Sequence, residues 1–290
     1  MVPVLVFDLE TVPDVDGLRR LHPEWALLEA PAVAEAAFAE RRERTGSEFL
    51  PLHLHRVVAV GCAMRDDNGF RVRCLGSAAD GEAKLVHDFF RLIDRYTPQL
   101  VSWNGGGFDL PVLHYRGLIH GATAARYWEQ GDDDRDFRRN NYLGRYHARH
   151  VDLMDVLALY QGRAVAPLDE IAKLAGVAGK LGMGGAQVWG AWCNGEIERI
   201  RNYCETDVVN TYLVYCRFQK MRGQLTGAEY DEELERVRAV LAASGAPHWR
   251  EFLEAWGADP LSREPSSPTA LPLRGRGEPK SPLPPAAGEG

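Results

Sequence analysis

The sequence predicts an α/β domain, a mixed β-sheet flanked by helices with extra helices towards the C-terminal end. Three observations predict it. Short apolar runs rich in β-branched residues alternate with stretches of helical spacing, two of those runs are joined by a hairpin turn, and carboxylates cluster at strand ends and helix starts, where α/β sheets usually place their sites. The 290 residues are 45% hydrophobic and 26% charged, ordinary values for a soluble globular chain with enough length to bury a core.

Val4-Leu5-Val6-Phe7 is too short for a helix and reads as a buried strand ending at Asp8. Residues 13–54 read as a largely helical insertion. Its Ala-rich part starts at Pro31 and has Gly46 just past its end, a helix-start and helix-stop pair. Strands at Val57–Met64 and Phe70–Leu75 flank Asp66-Asp67-Asn68-Gly69, a hairpin signal. Leu85, Phe89, Leu92, Ile93 and Tyr96 mark a helix over 82–96, stopped before Pro98. A strand at Gln99–Trp103, a Gly-rich turn and a helix from Asp109 to Ile119 follow. Residues 130–141 read as a polar surface loop, with a strand near His150–Leu153 beyond it. Helices are expected at 154–161, 168–175, 196–221, 227–243 and 248–256. From 258 to 290 the chain is rich in Pro, Gly and Ser without periodic apolar residues, and it reads as a disordered tail.

The bulk composition excludes several classes. A formal charge of −7 argues against tight, non-specific binding to a duplex backbone. The five cysteines form no C-x-x-C pair and read as reduced thiols of a cytoplasmic protein. The N-terminus leads straight into a strand, which leaves no room for a cleavable signal, and no apolar run approaches the ~18 residues of a membrane span.

Three elements carry chemistry. In Phe7-Asp8-Leu9-Glu10-Thr11, side chains on a strand alternate faces, so Asp8 and Glu10 project to the same side. Two carboxylates that close repel unless a cation lies between them, and their oxygens suit Mg²⁺ or Mn²⁺. Taken alone, the pair is more simply a solvated polar face. In Asn104-Gly105-Gly106-Gly107-Phe108-Asp109, Asp109 falls where a helix begins and could be an N-cap, which would leave the asparagine and three glycines unexplained. In Tyr203-Cys204-Glu205-Thr206-Asp207, the i, i+4 spacing stacks a phenol and a carboxylate on one helix face; a surface pair is the simpler account of that element alone.

Taken in order, D-x-E, N-G-x-x-F-D and Y-x-x-x-D resemble the motifs of the DEDD exonucleases of the ribonuclease H-like (DnaQ-like) superfamily. The tyrosine (DEDDy) variant fits, because the alternative subclass has histidine one residue earlier in that helix, where this chain has Asn202. The chain looks most similar to predicted 3′→5′ exonucleases akin to the proofreading domain of family-B DNA polymerases. Phe49–Gly61, His150–Leu157 and Gly179–Gly185 share that likeness, which extends over residues 1–257. The resemblance implies a ribonuclease H-like sheet and a two-metal site holding Mg²⁺ or Mn²⁺. Asp8 would bridge both ions, Glu10 and Asp207 would complete the coordination of the first ion, and Asp109 would hold the second ion through water. Tyr203 titrates too high to be a base at neutral pH and would orient the attacking water. Leu9, Thr11, Asn104 and Phe108 would hold the terminal nucleotide, although Leu9 and Phe108 also read as plain core. The implied substrate is the 3′ end of single-stranded nucleic acid, DNA ahead of RNA, with release of nucleoside 5′-monophosphates and no obligate protein partner. An RNA-trimming enzyme and an inactive nucleic-acid-binding module are the rival readings.

Other features carry less. Gly176-Val177-Ala178-Gly179-Lys180 fails as a phosphate loop, because Leu181 stands where Ser or Thr would bind magnesium. The nine histidines show no zinc-ligand spacing with the cysteines. Lys173, Lys180, Arg149 and His150 could each contact phosphate but read by default as solvated surface, and Trp189, Trp192 and Trp249 read as core.

Overall fold

The first strand is longer than its apolar run. In the computed structural model, which describes residues 2–257, β1 spans Val4–Pro13 and carries Asp8 and Glu10 within the strand. The expected end at Asp8 is therefore corrected, and the cause is pairing. β2 (His55–Asp66) runs antiparallel beside β1 from Val4↔Arg65 to Pro13↔His55, so the polar residues inherit strand geometry from their partner. The register shifts between Glu10 and Thr11, a bulge that re-aims the side chains beyond the acidic pair. The segment 258–290, read above as a tail, lies outside the described residues.

β3 (Gly69–Cys74) completes the predicted hairpin with β2, its turn resolved by Gly69 at φ 108°. β4 (Gln99–Ser102) and β5 (His150–Asp152) run parallel to β1 and to each other. The order β3-β2-β1-β4-β5 places β1 in the middle of a mixed five-stranded sheet.

The segment joining β1 to β2 holds α1 (Val15–Leu21) and α2 (Ala30–Thr45), which share a small core of Val15, Leu18, Val33, Ala37 and Leu50. Along β1, alternation sends Leu5, Phe7 and Leu9 to one face, where α3 (Glu82–Tyr96), α4 (Asp109–His120) and the short α5 (Ala125–Trp128) cover them. The loop that follows is polar, yet Phe137 within it is fully buried and the Arg149 guanidinium lies 3.7 Å over its ring. It is thus pinned to the core, where the acidic composition suggested only surface.

On the other face are α6 (Leu153–Leu157), α7 (Leu168–Leu174), α8 (Gly185–Cys193), α9 (Ile197–Met221), α10 (Gly227–Ser244) and α11 (Pro247–Gly257). α6 is shorter than expected, because Leu159 and Tyr160 turn to positive φ beyond it. The sequence did not suggest α8, whose glycines weaken helix propensity; burial of Val188 and Ala191 holds it in place. Trp249 is core as expected, while Trp189 and Trp192 are only partly buried. α9 approaches the sheet closely because Gly61 opposes Asp8 in the ladder: a Cβ there would fall 2.8 Å from the Cys204 carbonyl. The missing side chain lets the helix bring its own residues down to the centre of β1. No helix among the described residues is long and apolar enough to cross a membrane.

Candidate active site

Three distant segments meet at the middle of β1. Asp8 and Glu10 face α9, and Glu10 is 6% exposed. Asp109 is 4% exposed and does not cap its helix: Phe108 takes the cap position, and the Asp109 Oδ1 accepts the Leu9 N–H at 2.9 Å. That bond ties the start of α4 to the strand of the first acidic pair. Tyr203 and Asp207 are buried one turn apart on α9, so the surface-pair reading of this motif does not hold. The helix is buried along this stretch because it crosses the sheet, which local spacing does not reveal.

The glycine-rich turn before Asp109 now has a physical account. Asn104 adopts φ 65°, and its N–H donates to Asp152 Oδ1 at 2.9 Å. The Gly106 N–H donates to Asp152 Oδ2 at 2.8 Å. A Cβ on Gly105 would lie 2.4 Å from Ser102 Oγ, so only glycine fits there. Ser102 Oγ is itself 2.8 Å from His150 Nε2. Burial lowers the pKa of that imidazole to about 4, so it is a neutral internal group and not the solvated base expected. Asp152, Ser102 and His150 thus shape the turn. None of them has this part by sequence alone, since nothing in one strand signals that its side chains will grip another's loop.

The electrostatics of the cluster are unbalanced. Burial first, then the neighbouring carboxylates Asp109 and Asp207, hold the Asp8 pKa well above the ordinary carboxylate range. Glu10 is raised well above it too, by burial and by Asp8 and Asp207. Burial pushes Asp109 up to about 7, against the opposing pull of the Leu9 N–H. Burial also raises Asp207, while Lys180 works the other way. Lys180 was read as surface, yet its Nζ lies 2.5 Å from Tyr203 Oη and 3.3 Å from Asp207 Oδ2. Burial disfavours that ammonium, but Asp207, Asp8 and Glu10 raise its pKa overall. A lone lysine in a glycine-rich loop has no local signature, and only the tertiary fold brings it here. Tyr203 is pushed upward by burial and by Asp207, Glu10 and Asp8, so it is a neutral phenol at neutral pH.

The cluster fits a hard divalent cation. Asp207 Oδ1 is buried and accepts no hydrogen bond among the described residues. Ligand atoms of Asp8, Glu10 and Cys204 lie within 4.8 Å of one another, with the Cys204 thiol also 3.4 Å from the Asp8 carbonyl oxygen. An orphaned carboxylate oxygen beside acids that resist ionisation describes a site short of positive charge, and carboxylate oxygens suit Mg²⁺ or Mn²⁺. Two clefts open onto it, of about 770 and 540 Å³; both reach Asp8, Asn104, Phe108, Lys180 and Asp207. Leu9 is 5% exposed and belongs to the core, though it borders the larger cleft, as do Thr11 and Phe108.

Known proteins share this chain's pattern. Residues 47–256 match the family described as predicted 3′–5′ exonuclease related to the exonuclease domain of PolB, a match that takes in Asn104–Asp109 and Tyr203–Asp207. A DNA polymerase of Archaeoglobus fulgidus is 29% identical over 154 residues, 50% of this chain and 18% of the polymerase. The family B DNA polymerase of the hyperthermophilic archaeon Pyrobaculum calidifontis aligns over 83% of this chain and 29% of its own, at 18% identity and a TM-score of 0.45. This chain therefore spans less than a third of the length of either polymerase. It belongs to the family of predicted 3′–5′ exonucleases related to the exonuclease domain of PolB.

Proposed function

We propose that the protein is a metal-dependent 3′→5′ exonuclease that shortens single-stranded DNA from its 3′ end, releasing nucleoside 5′-monophosphates. Residues 1–257 form the exonuclease domain, with 13–54 as its insertion. The observation that carries the reading is the convergence of Asp8, Glu10, Asp109 and Asp207, all mainly buried, on a site where Lys180 is the cation that offsets them. Two Mg²⁺ or Mn²⁺ ions held by these carboxylates would supply the charge that hydrolysis needs at the attacking and leaving oxygens.

The chain's own groups do the rest. Water adds to phosphorus, the P–O3′ bond breaks, and the polymer keeps a new 3′-hydroxyl. Tyr203 keeps its phenolic proton and orients the water by hydrogen bonding. Lys180 fixes that phenol and offers an ammonium to the phosphate. Leu9, Thr11, Asn104 and Phe108 border the space for the terminal nucleotide. The five cysteines are all unpaired, which suits a reducing compartment such as the cytoplasm.

The test is a time course on a 5′-labelled single-stranded oligonucleotide with Mg²⁺ or Mn²⁺. Stepwise single-nucleotide shortening, absent with EDTA and in Asp8→Ala, is the expected outcome. Matched RNA shortened faster than DNA would move the substrate to RNA, and no turnover on either would overturn the enzyme reading.

A further inference from the structure

Phe49 is an anomaly beside the acids. It is 55% exposed on the segment between α2 and β2, yet it lines the same cleft as Asp8 and Glu10. A single exposed aromatic is ordinary on a protein surface. This one is held still. Its N–H donates to Ser47 Oγ at 3.2 Å, and its carbonyl accepts from Arg41 Nε at 3.0 Å. Its ring lies 5.1 Å from the His55 ring and 5.9 Å from that of Phe108, centroid to centroid.

His55 anchors the set. Its Nε2 lies 3.1 Å from the Leu50 carbonyl, which can only accept, so Nε2 carries the proton. Nδ1 then accepts from the Thr11 hydroxyl at 2.9 Å. Burial lowers the His55 pKa, in keeping with this neutral form. One imidazole thus ties the loop bearing Phe49 to the strand bearing Glu10, and its ring meets Phe108 edge-on at 5.2 Å. An open aromatic face, pre-positioned in a cleft that leads to carboxylates, is what an unpaired base stacks on.

Resting on the exonuclease reading, we propose that Phe49 is a stacking platform for one of the last two bases at the 3′ end, with His55 as the residue that positions it. The loop joining the helical segment to β2 therefore sets a preference for ends whose bases are free to leave a duplex stack.

The test is fluorescence anisotropy of the full chain with a 5′-labelled single-stranded DNA oligonucleotide in Ca²⁺, with the oligonucleotide checked on a gel as intact. Phe49→Ala is expected to weaken binding roughly ten- to a hundredfold, the range for loss of one stacked base, and Phe49→Trp to restore it. Oligonucleotides abasic at the last or the penultimate position are measured beside the parent. At one of the two positions, the wild type should lose as much as Phe49→Ala does, and the variant should lose no more on the abasic strand. Unchanged binding by Phe49→Ala, or penalties that add independently at both positions, would overturn the platform while leaving the exonuclease intact. A wild-type chain that neither binds nor shortens any strand would bring down both readings.

Discussion

Two buried acidic clusters lie on either side of this fold, and they are built in opposite ways. Beside α1, α3 and α4, Arg116 is 3% exposed and meets Asp14 at 2.5 Å and Glu82 through Nε at 2.7 Å. Glu82 also accepts the Val57 N–H at 2.7 Å and lies 2.7 Å from His120 Nε2. No buried side-chain nitrogen or oxygen of Asp14, Glu82 or Arg116 lacks a hydrogen-bond partner, and the cluster staples three helices to the sheet. At the middle of β1, four carboxylates share Lys180, which pairs with Asp207, and one Asp207 oxygen has no hydrogen-bond donor among the described residues. The fold can neutralise buried acid and does so at the first cluster. At the second it leaves a deficit that a cation from outside has the right sign to fill.

Removing carboxylates or their partners separates the two most sharply. Asp8→Ala should lower turnover on single-stranded DNA on the order of a thousandfold, the scale for loss of a main electrostatic element of a site. In metal-free buffer the same variant should unfold at equal or higher urea than the wild type, since it removes an acid whose charged form burial and the neighbouring carboxylates disfavour. A clear drop in the urea midpoint would mean that the cluster is structural after all. Arg116→Leu strands Asp14 and Glu82, and should destabilise the protein by about 3–5 kcal/mol in urea unfolding. A loss below about 1 kcal/mol would erase the contrast.

Proton binding sharpens it further. Asp109 titrates near 7 when folded without metal, against ~3.9 for an unperturbed aspartate, so the native state binds the extra proton. The stability from that proton is fully present below about pH 4 and is lost as pH rises through about 7. The Tm of the metal-free chain should therefore drift downward over that window relative to Asp109→Asn, and saturating Mg²⁺ should remove the difference. Identical slopes for wild type and variant would rule out the raised value. Tyr203→Phe is the mildest change. On the proposed role, in which the phenol orients water and does not ionise, a loss of roughly tenfold is expected, within the range of a single neutral hydrogen bond. A single-turnover loss equal to that of Asp8→Ala would assign the hydroxyl a larger role.

The parts of this site that could be read from sequence are those with a fixed local period. Asp8 with Glu10 at i, i+2 and Tyr203 with Asp207 at i, i+4 share a face in any strand or helix, so each pair was legible from spacing, while only the family resemblance implied that the pairs meet. Asp109 was legible from its glycines, though its tie to Leu9 was not, because a hydrogen bond across a hundred residues has no local mark. Lys180, Asp152 and His150 looked like ordinary surface or strand residues until the turn at 104–107 and α9 came together around them. The strand beyond Asp8 was hidden for the same reason: its polar residues are extended because β2 pairs with them. The helix at Gly185–Cys193 opposed its own composition and was decided by packing.

The bond from the Leu9 N–H to Asp109 and the contact from Cys204 to Asp8 have a consequence for synthesis. Each joins segments made far apart in time, and contacts of such sequence separation form late because their loops must close first. A growing chain that has emitted β1 and the hairpin holds two carboxylates but neither the phenol nor the last acid. The acidic site is therefore completed as a single late event, when Tyr203 to Asp207 dock over Gly61. On the proposed reading, a nascent or half-folded copy would lack the full set of acids and so could not yet cut the nucleic acids around it.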